Sequence, residues 1–120
     1  MERLILGMIP YQSPAKLAAT MSKAKMVTVI AHVRAKQGQE ERAREILEEL
    51  VAPTRGEAGC INYDLHQSAE DPGLFVFYEN WTSAAALDAH ANSEHIVRFR
   101  NKCSEVLAEG PLISKWQRLP

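Results

Sequence analysis

Leu74-Phe75-Val76-Phe77-Tyr78-Glu79-Asn80-Trp81-Thr82-Ser83 is the stretch that decides the fold. Aromatic and β-branched residues without Gly or Pro predict a strand over Leu74 to Trp81. Thr82 or Ser83 then supplies a helix start. Bulky apolar side chains occupy both parities, Phe75 and Phe77 on one side, Val76 and Tyr78 on the other, so both faces of the strand require cover. The strand ends in Glu79 and Trp81, and the helix after it carries His90, with His95 close behind. A carboxylate, an indole and an imidazole therefore meet near one sheet-to-helix corner, in a chain otherwise poor in catalytic residues.

Outward from that corner, Met26 to Arg34 alternates as a strand, and Lys36-Gln37-Gly38 is turn material. A helix is predicted from about Gln39 to Val51, with Ala43, Ile46, Leu47, Leu50 and Val51 on one stripe and Pro53 as its stop. Cys60 to Gln67 reads as a second strand, joined to the third through the turn Ala69 to Gly73. The second helix is interrupted at Asn92-Ser93 and runs on to about Glu109, with Gly110-Pro111 ending it. Leu112 to Leu119 gives a last strand. The order β-α-β-β-α-β predicts an α+β, ferredoxin-like split βαβ domain, a four-stranded antiparallel sheet with both helical segments on one face. The other face, with apolar residues of its own, calls for a homodimer packed sheet on sheet.

The chain has 120 residues, 46% of them hydrophobic and 24% charged, enough for one core and far from a disordered composition. Its formal net charge of -1 offers no field for nucleic acid or an anionic membrane. No apolar run is long enough to span a bilayer. Cys60 and Cys103, without a CxxC pair, exclude a cysteine zinc motif and suit free thiols in a reducing cytoplasm. Residues 1–25 read as an N-terminal extension, either dispensable or packed on a partner subunit, and 26–120 as the domain.

Val27-Thr28-Val29-Ile30-Ala31, Gly38, Glu57-Ala58-Gly59-Cys60 followed by Tyr63, Glu79-x-Trp81, and His90 with His95 stand here in one order and spacing. On these residues the chain, from Met26 to about Pro120, resembles the antibiotic biosynthesis monooxygenase domain family, the dimeric α/β-barrel group that includes quinol monooxygenases. The resemblance implies a dimer with a pocket in each subunit between the sheet and its helices. It implies oxidation of a quinol-like or polycyclic phenolic substrate by dioxygen, with no metal, flavin, haem or other cofactor. An electron-rich phenolate can itself reduce oxygen, so the protein need only bind the ring, take a proton and stabilise charge.

His90 is read as general base, or as a structural histidine bonded to Glu79. Glu79, costly to bury alone, holds a partner, His90 or a backbone amide. Trp81 and Tyr63 shape the substrate pocket. Asn62 and Tyr63 point to opposite faces of their strand, so at most one of them enters it, and Tyr63 is at the family position. His32 is either a pocket or a dimer-face group. His95, five residues after His90, is wrongly spaced for a metal pair on one helix and serves a helix start or the substrate. Haem-degrading relatives carry Trp at the position of His90 and a haem-ligating His at that of Arg100, and this chain departs at both. A branch that isomerises a small phosphorylated signal molecule shares the Glu-then-His pattern, but no phosphate site is evident here. A non-catalytic small-molecule-binding module is the third reading.

Overall fold

The computed structural model describes residues 25–120, so all but the last residue of the expected extension 1–25 lies outside it. The elements are β1 (Val27–Arg34), α1 (Glu40–Glu48), α2 (Val51–Arg55), β2 (Cys60–Gln67), β3 (Leu74–Trp81), α3 (Ala84–Ala91), α4 (Glu94–Lys102), a short 3₁₀ turn (Cys103–Glu105) and β4 (Leu112–Trp116). The strands form one antiparallel sheet in the order β2-β3-β1-β4. This is the α+β ferredoxin-like arrangement the sequence predicts.

Register sorts the side chains. Val29 pairs with Glu79, Ala31 with Phe77 and Val33 with Phe75, and all six are buried on the inner face. The helices close over that face through Ala43, Ile46, Leu47, Leu50 and Phe99. On the outer face Tyr78, Ile61, Leu112 and Trp116 remain about half exposed.

Two helix boundaries differ from expectation, and β4 stops at Trp116 rather than Leu119. The first helix breaks after Glu48, and Pro53 lies within the first turn of α2. Proline has no N–H for the carbonyl of Glu49 and crowds it, so it breaks the helix upstream and then fits a first turn, where no N–H is required. The last helix ends at Lys102 rather than near Glu109, because the following segment is taken by the end of β1. Lys36 N–H donates to the Val106 carbonyl at 2.8 Å and Ala108 N–H to that of Arg34 at 2.9 Å. These bonds bury Val106 and Leu107 against the sheet.

Candidate active site

A cavity of about 470 Å³ opens between the inner face of the sheet and the helices. Its wall is apolar, with Val29, Ala31, Phe77, Leu87, Ile96 and Phe99. Such a volume lined mostly by hydrophobic groups is typical of a small-molecule site. Three polar side chains interrupt that wall, Tyr63 from β2, Glu79 from β3 and His90 from the last turn of α3, while Asp88, Arg100 and Lys115 also line it.

Local structure explains how His90 comes to be there. The Ser83 hydroxyl accepts from the Ala86 N–H at 3.1 Å and fixes the start of α3. The loop before β2 then lies against this helix. Gly59 has φ +86°, and a Cβ there would stand 2.5 Å from Ala86 Cβ and 2.8 Å from Thr82 Oγ1, so only glycine allows the approach. Its carbonyl accepts from Thr82 N–H at 2.9 Å. That contact carries Glu57 to His90, with Glu57 Oε2 2.7 Å from His90 Nδ1.

The carboxylate accepts only, so Nδ1 carries the proton and Nε2 keeps its lone pair. Nε2 has no hydrogen-bond partner among the described residues and is not sealed from solvent. With His90 on the cavity wall, this nitrogen is the one offered to a bound molecule. The arrangement is a carboxylate-oriented imidazole, as general-base catalysis requires. Burial pushes the His90 pKa below the ordinary imidazole value, against the opposing pull of Glu57.

Glu79 does not hold His90, as one reading of the sequence had it. Glu79 Oε1 accepts from Trp81 Nε1 at 2.9 Å, two residues along the same face of β3. Burial raises the Glu79 pKa to about 7, against the Trp81 N–H, which favours the charged form, while the charge of Glu57 raises it further. A buried carboxyl at that value exchanges protons near neutrality. Burial, and then the charge of Glu79, keep Tyr63 a neutral phenol.

The structure gathers four of the predicted residues around this corner. Trp81 and Tyr63 face the His90 ring at centroid distances of 4.7 and 5.4 Å. Trp81 is fully buried behind His90 and supports it from outside the cavity wall, which corrects its expected place as a pocket wall. His95 is likewise off the wall. Its Nε2 lies 3.0 Å from Glu57 Oε2 and 3.0 Å from Thr54 Oγ1. Asn62 and His32 fall on the outer face, away from the cavity, because both share the parity of Tyr78. Asn62 donates there to Asp64 and to the Tyr78 carbonyl, and His32 is exposed.

Glu57, the closest partner of His90, was missed as a functional residue, although its loop was singled out for the resemblance. Arg100 and Lys115 were missed on the cavity wall as well. Glu57, His90 and His95 also form a possible metal-ligating group, with donor atoms within 4.8 Å of one another.

Residues 26–102 match the protein family described as Antibiotic biosynthesis monooxygenase. The chain belongs to this family. Among its relatives is the Mycobacterium tuberculosis protein named "Putative monooxygenase Rv0793", 38% identical over 81 residues that make up 68% of this chain and 79% of the relative. The structure of Rv0793 superposes with a TM-score of 0.74, covering 79% of this chain and 96% of that one at 33% identity. The crystal structure of PA3566 from Pseudomonas aeruginosa gives a TM-score of 0.77 at 40% identity, covering 82% and 98%. The family therefore accounts for β1 through α4, the elements that carry Glu57, Tyr63, Glu79 and His90.

Proposed function

We propose that this chain is a monooxygenase that oxidises a quinol-like or polycyclic phenolic substrate with dioxygen, the substrate itself supplying the electrons without metal, flavin or haem. The observation that carries the reading is His90 on the wall of an apolar cavity, its Nδ1 held by Glu57 and its Nε2 free, with the carboxyl of Glu79 on the same wall. The balance is quinol plus O₂ to hydroxyquinone plus water. His90 Nε2 takes the hydroxyl proton, and the electron-rich ring carbon gives two electrons to form a C–O bond to oxygen. Two further electrons from the ring cleave the O–O bond, one oxygen stays on the ring, and the other leaves as water. Glu79, protonated in part near neutral pH, supplies a proton to the departing oxygen, and the imidazolium supplies the other. The hydrogen on the attacked ring carbon leaves as a proton to Glu79 while its bonding pair forms the new carbonyl and cleaves O–O, which restores both groups. The apolar wall orients the ring.

The working assembly in this reading is a homodimer that covers the outer face, where Tyr78, Leu112 and Trp116 are exposed. A cytoplasmic setting keeps Cys60 and Cys103 as the free thiols they are. One observation favours a second reading, isomerisation of a small phosphorylated molecule. Arg100 and Lys115 bring two cations to the cavity, the anion site that the sequence left unfilled.

Oxygen uptake with a panel of quinols, naphthols and anthrones, chelators present, tests the proposal. His90→Ala lowers turnover by at least ~10²-fold, the lower bound for general-base catalysis, while the melting temperature stays within a few degrees. Full uptake by a folded His90→Ala protein places the base elsewhere, and no uptake with any member of the panel favours the phosphorylated substrate.

A further inference from the structure

We infer that Glu57, His90 and His95 form a binding site for a borderline divalent transition-metal ion such as Zn²⁺, and that an ion bound there silences His90 as a base. The three residues come from separate elements, the loop before β2, the last turn of α3 and the first turn of α4. His90 and His95 are five apart, a poor spacing on one continuous helix, but the chain breaks at Asn92-Ser93 and turns both rings toward one carboxylate. Glu57 Oε2 lies 2.7 Å from His90 Nδ1 and 3.0 Å from His95 Nε2. The side chains are 15%, 10% and 14% exposed for Glu57, His90 and His95, which leaves the group enclosed yet within reach of solvent.

Two imidazoles and one carboxylate suit Zn²⁺ and its neighbours, whereas Mg²⁺ and Ca²⁺ favour oxygen ligands throughout. With metal–ligand bonds of about 2.0–2.1 Å, tetrahedral ligand atoms stand ~3.3 Å apart, so the two contacts to Glu57 have to open by a few tenths of an ångström. The two ring nitrogens, within 4.8 Å of each other, draw together by a turn of the imidazoles. Thr54 Oγ1 and Ser93 Oγ, at 3.0 and 3.4 Å from His95 Nε2, provide nearby hydroxyls for a bound water.

Glu57 and His95 do not line the cavity, so an ion at this site touches a bound molecule through the His90 ring, and otherwise reaches it only by its field at Glu79. Coordination takes the lone pair of Nδ1, and the ring proton that Nδ1 held moves to Nε2. Nε2 then donates instead of accepting. No proton is lost and no redox step occurs, because the ring exchanges one tautomer for the other. The site stands on geometry alone, while the silencing rests on the proposed role of His90.

Calorimetric titration of the untagged full chain with ZnCl₂, and with MgCl₂ as contrast, tests the site. The expected result is one Zn²⁺ per chain, no Mg²⁺ binding, and affinity kept when Cys60→Ser and Cys103→Ser are combined. His95→Ala and Glu57→Gln each weaken it at least tenfold. Equal affinity in those two variants, or no binding at millimolar Zn²⁺, overturns the site. Long-range ¹⁵N–¹H spectra of the wild-type chain provide a readout that does not depend on how the variants fold. On Zn²⁺ addition they should show His90 ligated at Nδ1 with a proton on Nε2, and His95 ligated at Nε2. Shifts confined to His32 and to His66, an exposed residue of β2, overturn the site, and an unprotonated His90 Nε2 in the loaded protein overturns the silencing.

Discussion

The two faces of β3 carry similar residues and meet different fates. On the inner face Phe75, Phe77, Glu79 and Trp81 are all at most 4% exposed, closed over by helices of the same chain. On the outer face Val76 is half-buried and Tyr78 is 44% exposed, with only neighbouring strands around them among the described residues. Apolar content is therefore a poor guide to which face a single chain covers, and the connections decide it. Both βαβ crossovers lead to one side, so the inner face receives the helices of the described residues. That side must also satisfy its polar groups within the chain, as Glu79 does with Trp81 and His90 with Glu57.

The sharpest break of this contrast comes from the inner side. Leu47 is fully buried where α1 packs on the sheet. Leu47→Ala should cost ~2–5 kcal/mol, the range for truncating a buried leucine and leaving a cavity. Chemical denaturation measures this directly, and a cost near zero would mean that α1 turns another stripe to the core.

Glu79 gives an inner-face prediction that depends on pH. Its folded pKa of about 7 lies above the ordinary 4.5. Between those values the folded protein holds a proton that the unfolded chain has released, so stability falls as pH rises through this window. The contribution is complete below about pH 4.5 and gone above about pH 7, on the order of 3 kcal/mol in all. His90 opposes it, since its lowered pKa removes stability as pH falls below the ordinary imidazole range. The difference between the wild type and Glu79→Gln isolates the carboxyl. The variant's stability should lose this downward slope between pH 4.5 and 7, and parallel curves would show Glu79 to be solvated like a surface acid.

Much of this was readable from residue order. The alternation in β1 and β3, the Ser83 cap and the stripe on α1 each follow from local periodicity, and together they fix the sheet and the side its helices take. The corner of Tyr63, Glu79, Trp81 and His90 was readable too, since strand ends and helix starts adjoin in sequence. The partner of His90 was not. Glu57 is 33 residues away from it, and what joins them is the left-handed turn at Gly59 and its close approach to α3, a contact without periodic signature. Parity placed His32 and Asn62 opposite the inner residues, but it could not say which parity the cavity would occupy. Arg100 and Lys115 reach one cavity because β4 returns beside β1, so their neighbours in sequence give no hint of it.

The smallest expected effect on the single chain is also the one that separates the two faces most cleanly. Tyr78 on the outer face pairs with Ile30 and Asp64 on neighbouring strands. In an isolated chain, Tyr78→Lys removes a half-exposed ring and sets an ammonium beside the carboxylate of Asp64. Its cost should stay within about 1 kcal/mol, as for most surface changes. In a dimer packed sheet on sheet, the same change brings two ammonium groups to the interface, and burying a charge there without full compensation is costly. Light scattering should therefore give a mass of twice 13.4 kDa for the wild type and 13.4 kDa for Tyr78→Lys, with far-UV circular dichroism unchanged. A wild-type chain that stays at 13.4 kDa at micromolar concentration would leave the outer face uncovered, and β3 would then tolerate its exposed side through Asp64, Asn80 and the strand edges alone.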